Sequence, residues 1–386
     1  MFQQRLDDLA RRSLLRRLRT IESASEAEVT LNGRPIILMA SNNYLGLATH
    51  PALKRAAIQA TERFGVGAGA ARLVSGTLPP HDELETALAK FKGTEAALVF
   101  GSGYLANLGV IPALIGAKGL ILADRLCHAS LIDGCRLSGA GFRVYRHNDL
   151  AHLKSLLAKR SSKRDTLIVT DGVFSMDGDL APLPELIDLA DRYNSRLFVD
   201  DAHGTGVMGA QGRGTLEHYG VESRLPFHMG TLGKALGTSG AYIVGPAEMI
   251  QYVLNTARTF LFATAPPPAT AAATVAALHV VQAEPERRAR LWENRQYLWS
   301  GLTHLGFRLT DSASPILPIV IGNAQKAVAM ADRLLELGVY APAIRPPTVP
   351  KETSRIRVTV TSEHSRAQLD RALAAFRQAG RELNVI

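Results

Sequence analysis

Cysteine is almost absent: only Cys127 and Cys135 occur, and no C-x-x-C pair is present. A disulfide framework and a structural zinc ribbon are thereby excluded. At 386 residues, 46% hydrophobic and 20% charged, the chain can bury a sizeable core without such staples. Long apolar runs are missing as well. The most apolar stretch, 108–123, is interrupted by Pro112, several glycines and Lys118, and the alanine-rich run 269–281 is too short to span a bilayer. The first twenty residues hold six arginines but no apolar core and no small-residue cleavage site, so they do not read as a signal peptide. Asp7 and Asp8 argue against a mitochondrial presequence. The expectation is an N-terminal helix on a cytoplasmic protein with no membrane partner.

Aromatic residues are scarce at 6%, and no zinc-finger or RNP-like string occurs. The net charge of +9 comes without blocks of pure lysine and arginine beyond the N-terminus, which disfavours nucleic acid as a partner. The excess reads as a solvated basic surface, or as one that steers a small polyanion or an acidic carrier protein. Lysine itself is sparse, ten residues against 34 arginines, so it is not the default surface base here.

What the sequence does contain is a succession of short apolar runs, at 96–100, 119–124, 142–147, 166–171, 196–200, 227–231 and 240–244. Most are unbroken rather than alternating, which fits strands buried on both faces. Stretches of helix length such as 104–115, 129–138 and 184–193 lie between them, so the fold class is α/β with a mainly parallel sheet. The last hundred residues differ. An apolar run at 316–321, a helical pattern at 324–337, a proline-rich loop at 341–350, an alternating strand at 355–362 and a helix at 366–382 predict a small α+β domain. One long helix through 270–300 is expected to link the parts. The division expected is 1–50, 51–283 and 284–386.

In a parallel sheet, chemistry gathers beyond the carboxyl ends of the strands. GSGYLAN (101–107) follows a strand and opens a helix, where free backbone N–H groups and glycines can cup a phosphate. Its spacing, with Asp124 ending the next strand, also fits an NAD-type dinucleotide site; a tight turn with no ligand is the plain alternative. GTLGKALG (230–237) fails as a P-loop, because Ala235 follows Lys234 and His228 occupies the earlier glycine position. Lys234 is then either a solvated charge or a confined amine suited to imine chemistry. LFVDDAHGTG (197–206) offers Asp200, Asp201 and His203 as a capped turn, as metal ligands, or, through one carboxylate, as the partner of a pyridine nitrogen. A lysine that forms a Schiff base together with such a carboxylate is the usual protein contribution to pyridoxal 5'-phosphate (PLP) chemistry. His128 reads as a helix cap or as a ring that stacks on a planar cofactor, and the two cysteines as small hydrophobes.

Taken in order, SNNYLGL (41–47), RLVSGT (72–77), GSGYLAN (101–107), HASLIDG (128–134), DGVFSMDGD (171–179), VDDAHGTGVMG (199–209), GTLGKALG (230–237) and AIRPPTVP (343–350) resemble the α-oxoamine synthase family of PLP enzymes over nearly the whole chain. The resemblance implies PLP-dependent fold type I, the aspartate aminotransferase-like fold, with a seven-stranded sheet and 51–283 as the PLP-binding domain. It implies an acyltransferase that condenses a small amino acid with an acyl thioester and releases carbon dioxide. AIRPPTVP is similar to members that join L-alanine to pimeloyl-CoA or pimeloyl-acyl carrier protein in biotin biosynthesis. GTLGKALG and HASLIDG are similar to glycine acetyltransferases as well, which stay as the alternative.

Carried onto this sequence, the resemblance makes Lys234 the Schiff-base lysine and Asp200 the partner of the ring nitrogen. His203 and Ser175 would bond the ring oxygen, and His128 would stack on the ring and help hold the substrate. The backbone at Gly103 and Tyr104, with the Thr231 hydroxyl, would hold the phosphate. Arg357 would take the substrate carboxylate beside Asn42, while Arg16, or its neighbour Arg17, and Thr348 would follow the acyl chain. The family's homodimeric habit implies shared active sites, with Thr264 reaching the phosphate bound by a second copy. No metal is implied.

Overall fold

The computed structural model describes every residue except Ser13, Arg17, Ser162 and Pro226. Its contacts group into two units: His50–Phe174 with Leu180–Pro285, and Met1–Thr49 with Ser175–Asp179 and Glu286–Ile386.

The first unit is built on seven strands: β1 (Ala96–Phe100), β2 (Leu120–Asp124), β3 (Gly141–Tyr145), β4 (Thr166–Asp171), β5 (Arg196–Asp200), β6 (His228–Thr231) and β7 (Ala241–Gly245). They lie in the order β1-β7-β6-β5-β4-β2-β3. Strands β2 to β6 run parallel, and β7 is antiparallel to both β6 and β1. The expected α/β class and mainly parallel sheet are both found. Alternate residues of the central strands feed two cores. Ile121, Ala123, Leu167, Val169 and Phe198 pack with Val110 and Ile111 of the helix Gly103–Leu114. Leu120, Leu122, Ile168, Leu197 and Val199 pack with Leu186 and Ile187 of the helix Leu183–Arg192. Coverage of both faces is why these runs are apolar throughout. β3 is at the sheet edge and departs from that pattern, with Arg143 and Val144 exposed; a charge there discourages further strand pairing. Because the strands are parallel, Asp124, Asp171, Asp200 and Thr231 end β2, β4, β5 and β6 along one rim of the sheet.

In the second unit, Arg34–Leu38 pairs antiparallel with Glu28–Leu31 and parallel with Val339–Tyr340. In a separate sheet, Ser354–Thr359 lies between Ile316–Gly322 and Ala343–Ile344, antiparallel to both. Two expectations need correction. The strand at 355–362 does not alternate between core and solvent: all six residues of Ser354–Thr359 are buried, arginines included. Its polar positions face partners rather than water. The single helix expected through 270–300 is two helices, Pro268–Ala283 and Glu286–His304. Glu284 sits at φ −120 and ψ 63 ahead of Pro285, because a proline pushes the residue before it out of the helical region. The expected N-terminal helix is present as Phe2–Arg11 and buries none of its residues. Among the described residues, no helix is long and apolar enough to cross a membrane.

Candidate active site

Lys234 lies in the turn that follows β6. Its Nζ donates to the Thr231 hydroxyl at 3.1 Å, and that hydroxyl donates to the Ala202 carbonyl at 3.3 Å. The turns after β6 and β5 are thereby joined. Asp200, at the end of β5, is 5% exposed. Its Oδ2 accepts from Asn107 Nδ2 at 2.8 Å and its Oδ1 from the Ala202 N–H at 3.0 Å. Asn107 is fully buried on the helix Gly103–Leu114 and also donates to Ser130 Oγ at 2.9 Å. Fixed donors of this kind make a buried carboxylate tolerable.

His128 caps the helix Ala129–Leu137: its Nδ1 accepts from the Ser130 N–H at 3.3 Å and lies 2.7 Å from Ser130 Oγ. The His128 backbone N–H donates to Asp171 Oδ2 at 2.8 Å. Burial pulls the imidazole below its ordinary pKa, with the Asp200 carboxylate opposing and the Lys234 ammonium reinforcing that shift. One ring therefore feels both charges. Asp171 is the register partner of Asp200, and burial followed by that neighbouring carboxylate pushes its carboxyl well above the usual range.

The helix start closes the same crevice. A β-carbon on Gly103 would come within 2.7 Å of Thr231 Cγ2, so glycine is what allows this approach. Ser102 caps the helix by accepting from the Leu105 N–H at 3.2 Å. Tyr104 is partly exposed, its hydroxyl donates to Asp133, and its ring meets His128 edge-on at 6.5 Å. His203 is 8% exposed on the turn after β5. Thr264 is exposed and bridges to Ala71.

In the second unit, Asn42, Ser175 and Arg357 come together. Arg357 is buried; its Nε donates to the Ser175 carbonyl at 2.7 Å and its Nη2 to Asn42 Oδ1 at 3.2 Å. The Tyr44 hydroxyl donates to the same Asn42 oxygen at 3.4 Å. Thr348 is exposed in a turn closed by its N–H on the Arg345 carbonyl at 3.1 Å. Arg16 is exposed, and its charge adds to burial in lowering the pKa of the Arg345 guanidinium. Arg17 lies outside the described residues.

Two alternatives lose their support. Asp124 is fully buried, and its carboxylate accepts from the Leu126 and Asn148 N–H groups at 2.8 Å each and meets His147 Nδ1 at 2.9 Å. It is committed to the chain's own loops, which leaves the dinucleotide reading without its ribose ligand. Asp201 is engaged by Lys92 and Thr215, and among the described residues no group of His, Cys, Asp and Glu could hold a metal. Burial pushes both cysteine thiols up, Cys135 to about 12, which suits packing rather than nucleophilic attack. Asn107, Ser130 and Lys92 are residues that the sequence does not mark individually. A lone asparagine in an otherwise apolar helix, and a lysine in a lysine-poor chain, were the available signals.

The sequence profile of the aminotransferase class I and II family matches residues 34–376. An 8-amino-7-oxononanoate synthase of Geobacter sulfurreducens is 50% identical, covering 99% of this chain and 98% of its own length. One from Symbiobacterium thermophilum is 46% identical over the same shares. Among solved structures, a serine palmitoyltransferase of S. paucimobilis with bound PLP and myriocin superposes with a TM-score of 0.96 at 33% identity, covering 100% of this chain and 98% of that one.

Proposed function

The chain belongs to the aminotransferase class I and II family, and on that premise we propose that it joins L-alanine to a pimeloyl thioester, releasing carbon dioxide and the thiol, to give 8-amino-7-oxononanoate. It is a PLP-dependent acyltransferase of biotin biosynthesis. The observation that carries the reading is the hydrogen-bonded chain from Lys234 Nζ through the Thr231 hydroxyl and Ala202 to the buried Asp200 carboxylate.

The residues fit the cofactor. An amine, a hydrogen-bonded buried carboxylate, a hydroxyl and a helix start that only glycine can bring close form the donor set PLP requires. When bound, PLP supplies an aldehyde that captures amines and a cationic ring that accepts the electron pair left on a neighbouring carbon. Lys234 would hold the aldehyde and take the α-proton of alanine at Nζ. Asp200 would keep the ring nitrogen protonated, and Asn107, donating to Asp200, would fix that carboxylate's orientation. His203 and Ser175 would bond the ring oxygen, and His128 would lie against the ring. The N–H groups of Gly103 and Tyr104, the Thr231 hydroxyl and Thr264 of a second copy would take the phosphate.

Arg357 and Asn42 would hold alanine by its carboxylate, and the acyl chain would run along Arg16 and Thr348. A bond forms between the alanine α-carbon and the thioester carbonyl carbon, and the C–S bond breaks. The carboxylate then leaves as carbon dioxide, and the carbon it leaves takes up a proton. Holding the breaking bond in place is a positioning task for Arg357 and His128.

The division into an arm (1–50), a cofactor-binding part (51–283) and a C-terminal part (284–386) belongs to the same proposal, as does a cytoplasmic homodimer. Val66, Val74 and Phe262 are 82%, 79% and 72% exposed, an apolar cost that a second copy would relieve. Product analysis with alanine against glycine, and pimeloyl against acetyl donors, tests the reading. The amino ketone from alanine and the pimeloyl donor is expected, and a preference for glycine with the acetyl donor would replace it with the glycine acetyltransferase reading.

A further inference from the structure

Directly behind Asp200, the next residue sits in a second, wholly enclosed polar cluster. The side chains of Asp201 and Lys92 are 0% and 1% exposed, with Nζ and Oδ2 3.5 Å apart. Asp201 Oδ1 also accepts the Thr215 hydroxyl at 2.7 Å, and both its oxygens take the Thr215 N–H at 3.2 Å. Lys92 ends the helix Pro79–Lys92 and donates to Thr205 Oγ1 at 3.2 Å and to the Arg213 carbonyl. Thr205 in turn lies 2.8 Å from the Tyr242 hydroxyl of β7, whose ring is 5.6 Å from Nζ. The fit is tight. A β-carbon on Gly204 or Gly214 would fall 2.0 or 1.7 Å from an Asp201 oxygen, and one on Gly172 would fall 3.0 Å away. Three backbone segments have closed around one carboxylate.

A buried ion pair of this kind is weak evidence for stability, since desolvation offsets most of the attraction. Its placement suggests another role. The Asp201 N–H donates to the Met229 carbonyl at 2.9 Å, Ala202 supplies its N–H to Asp200 and its carbonyl to Thr231, and Thr231 accepts from Lys234. The turn pinned by Lys92 and Asp201 is therefore the one that carries Asp200 and His203 and touches the lysine turn. We propose that Lys92 and Asp201 are positioning residues: as a charge-balanced pair they fix the 200–205 turn and set the electrostatic potential at the Asp200–Lys234 crevice.

This rests on the PLP reading above. The charged and titratable groups that bear on the pair are Asp200 on β5, His228 on β6 and Tyr242 on β7. The Asp200 carboxylate raises the pKa of Asp201 as a like charge, and burial, reinforced by the Lys92 ammonium, holds the His228 imidazole well below its ordinary value. A change of charge at the pair is thus felt where the cofactor's ring would sit.

The test compares Lys92→Met with Asp201→Asn in the PLP-loaded protein. Each is titrated by the visible absorbance of the bound cofactor, and PLP affinity is measured on the stripped protein by fluorescence. Losing the cation favours protonation of the cofactor, and losing the anion disfavours it. The Lys92→Met midpoint is expected to lie on the order of one pH unit or more above that of Asp201→Asn, the size produced by one nearby charge. Midpoints that coincide, or that fall in the reverse order, overturn the proposal. A merely structural role would weaken both variants without separating them. Should Lys92→Met fail to fold, Asp201→Asn against the unmodified protein serves, with a lower midpoint expected and an unchanged one contrary. The double variant should return toward the unmodified midpoint. If the unmodified protein takes up no PLP, it is the functional reading that fails; if it does and the variants coincide, only this inference falls.

Discussion

The turn after β5 in one unit and the strand Ser354–Thr359 in the other both carry charged side chains into buried surroundings, and they do so with different chemistry. After β5, two adjacent carboxylates are separated by function: Asp200 is met by an amide and a backbone N–H, Asp201 by a lysine and a threonine. In the strand, two guanidiniums are met largely by carbonyl oxygens. Arg357 donates to Ser175 and Asn42, while Arg355 donates to the Met176 carbonyl at 2.9 Å and to the Asp177 carboxylate at 2.5 Å. Of the two anions on the turn, Asp200 is held by neutral donors, the arrangement a cationic cofactor ring needs. The strand presents an arginine whose partners are mostly neutral, which leaves its charge available to a carboxylate ligand.

The comparison can be broken at four points. Lys234→Ala should have the largest effect, lowering turnover by about 10⁴-fold or more, because the amine serves as both anchor and general base; steady-state rates with alanine check it. Asp200→Asn should leave the fold intact by circular dichroism and lower kcat by about 10²–10³-fold, the scale expected when one preorganised charge is removed. Arg357→Ala should act on the other side of the comparison, raising KM for alanine by roughly tenfold to a hundredfold, the worth of a hydrogen bond to a charged group, with a smaller change in kcat. Asp177→Asn should cost least, about 1–2 kcal/mol in urea unfolding, because Asp177 is 24% exposed and solvent screens its pair with Arg355. A larger effect on catalysis from Asp177→Asn than from Arg357→Ala would show the wrong arginine had been assigned to the substrate.

The two regions also differed in how far they could be read from sequence. Unbroken apolar runs followed by polar residues identify strands covered on both faces and the rim they end on, so Asp200, His203, Thr231 and Lys234 were legible from 196–206 and 227–237. RIRVTVTS was not, because alternation of arginine with valine and isoleucine looks the same whether the polar face meets water or protein. The Ser175–Asp179 loop, Ser41 and Asn42, distant in sequence, make it a buried face. Asn107 and Lys92 escaped for a related reason: a polar residue in a helix reveals its burial only through tertiary partners. Pro285 is the sequence signal for the helix break, set against the alanine-rich helical pattern before it.

The most direct test of the central claim is borohydride reduction of the PLP-loaded protein followed by peptide mapping. The account predicts one stable pyridoxyl adduct, on Lys234, and loss of the visible absorbance. An adduct on any of the other nine lysines, or a reduced protein carrying none, would contradict it.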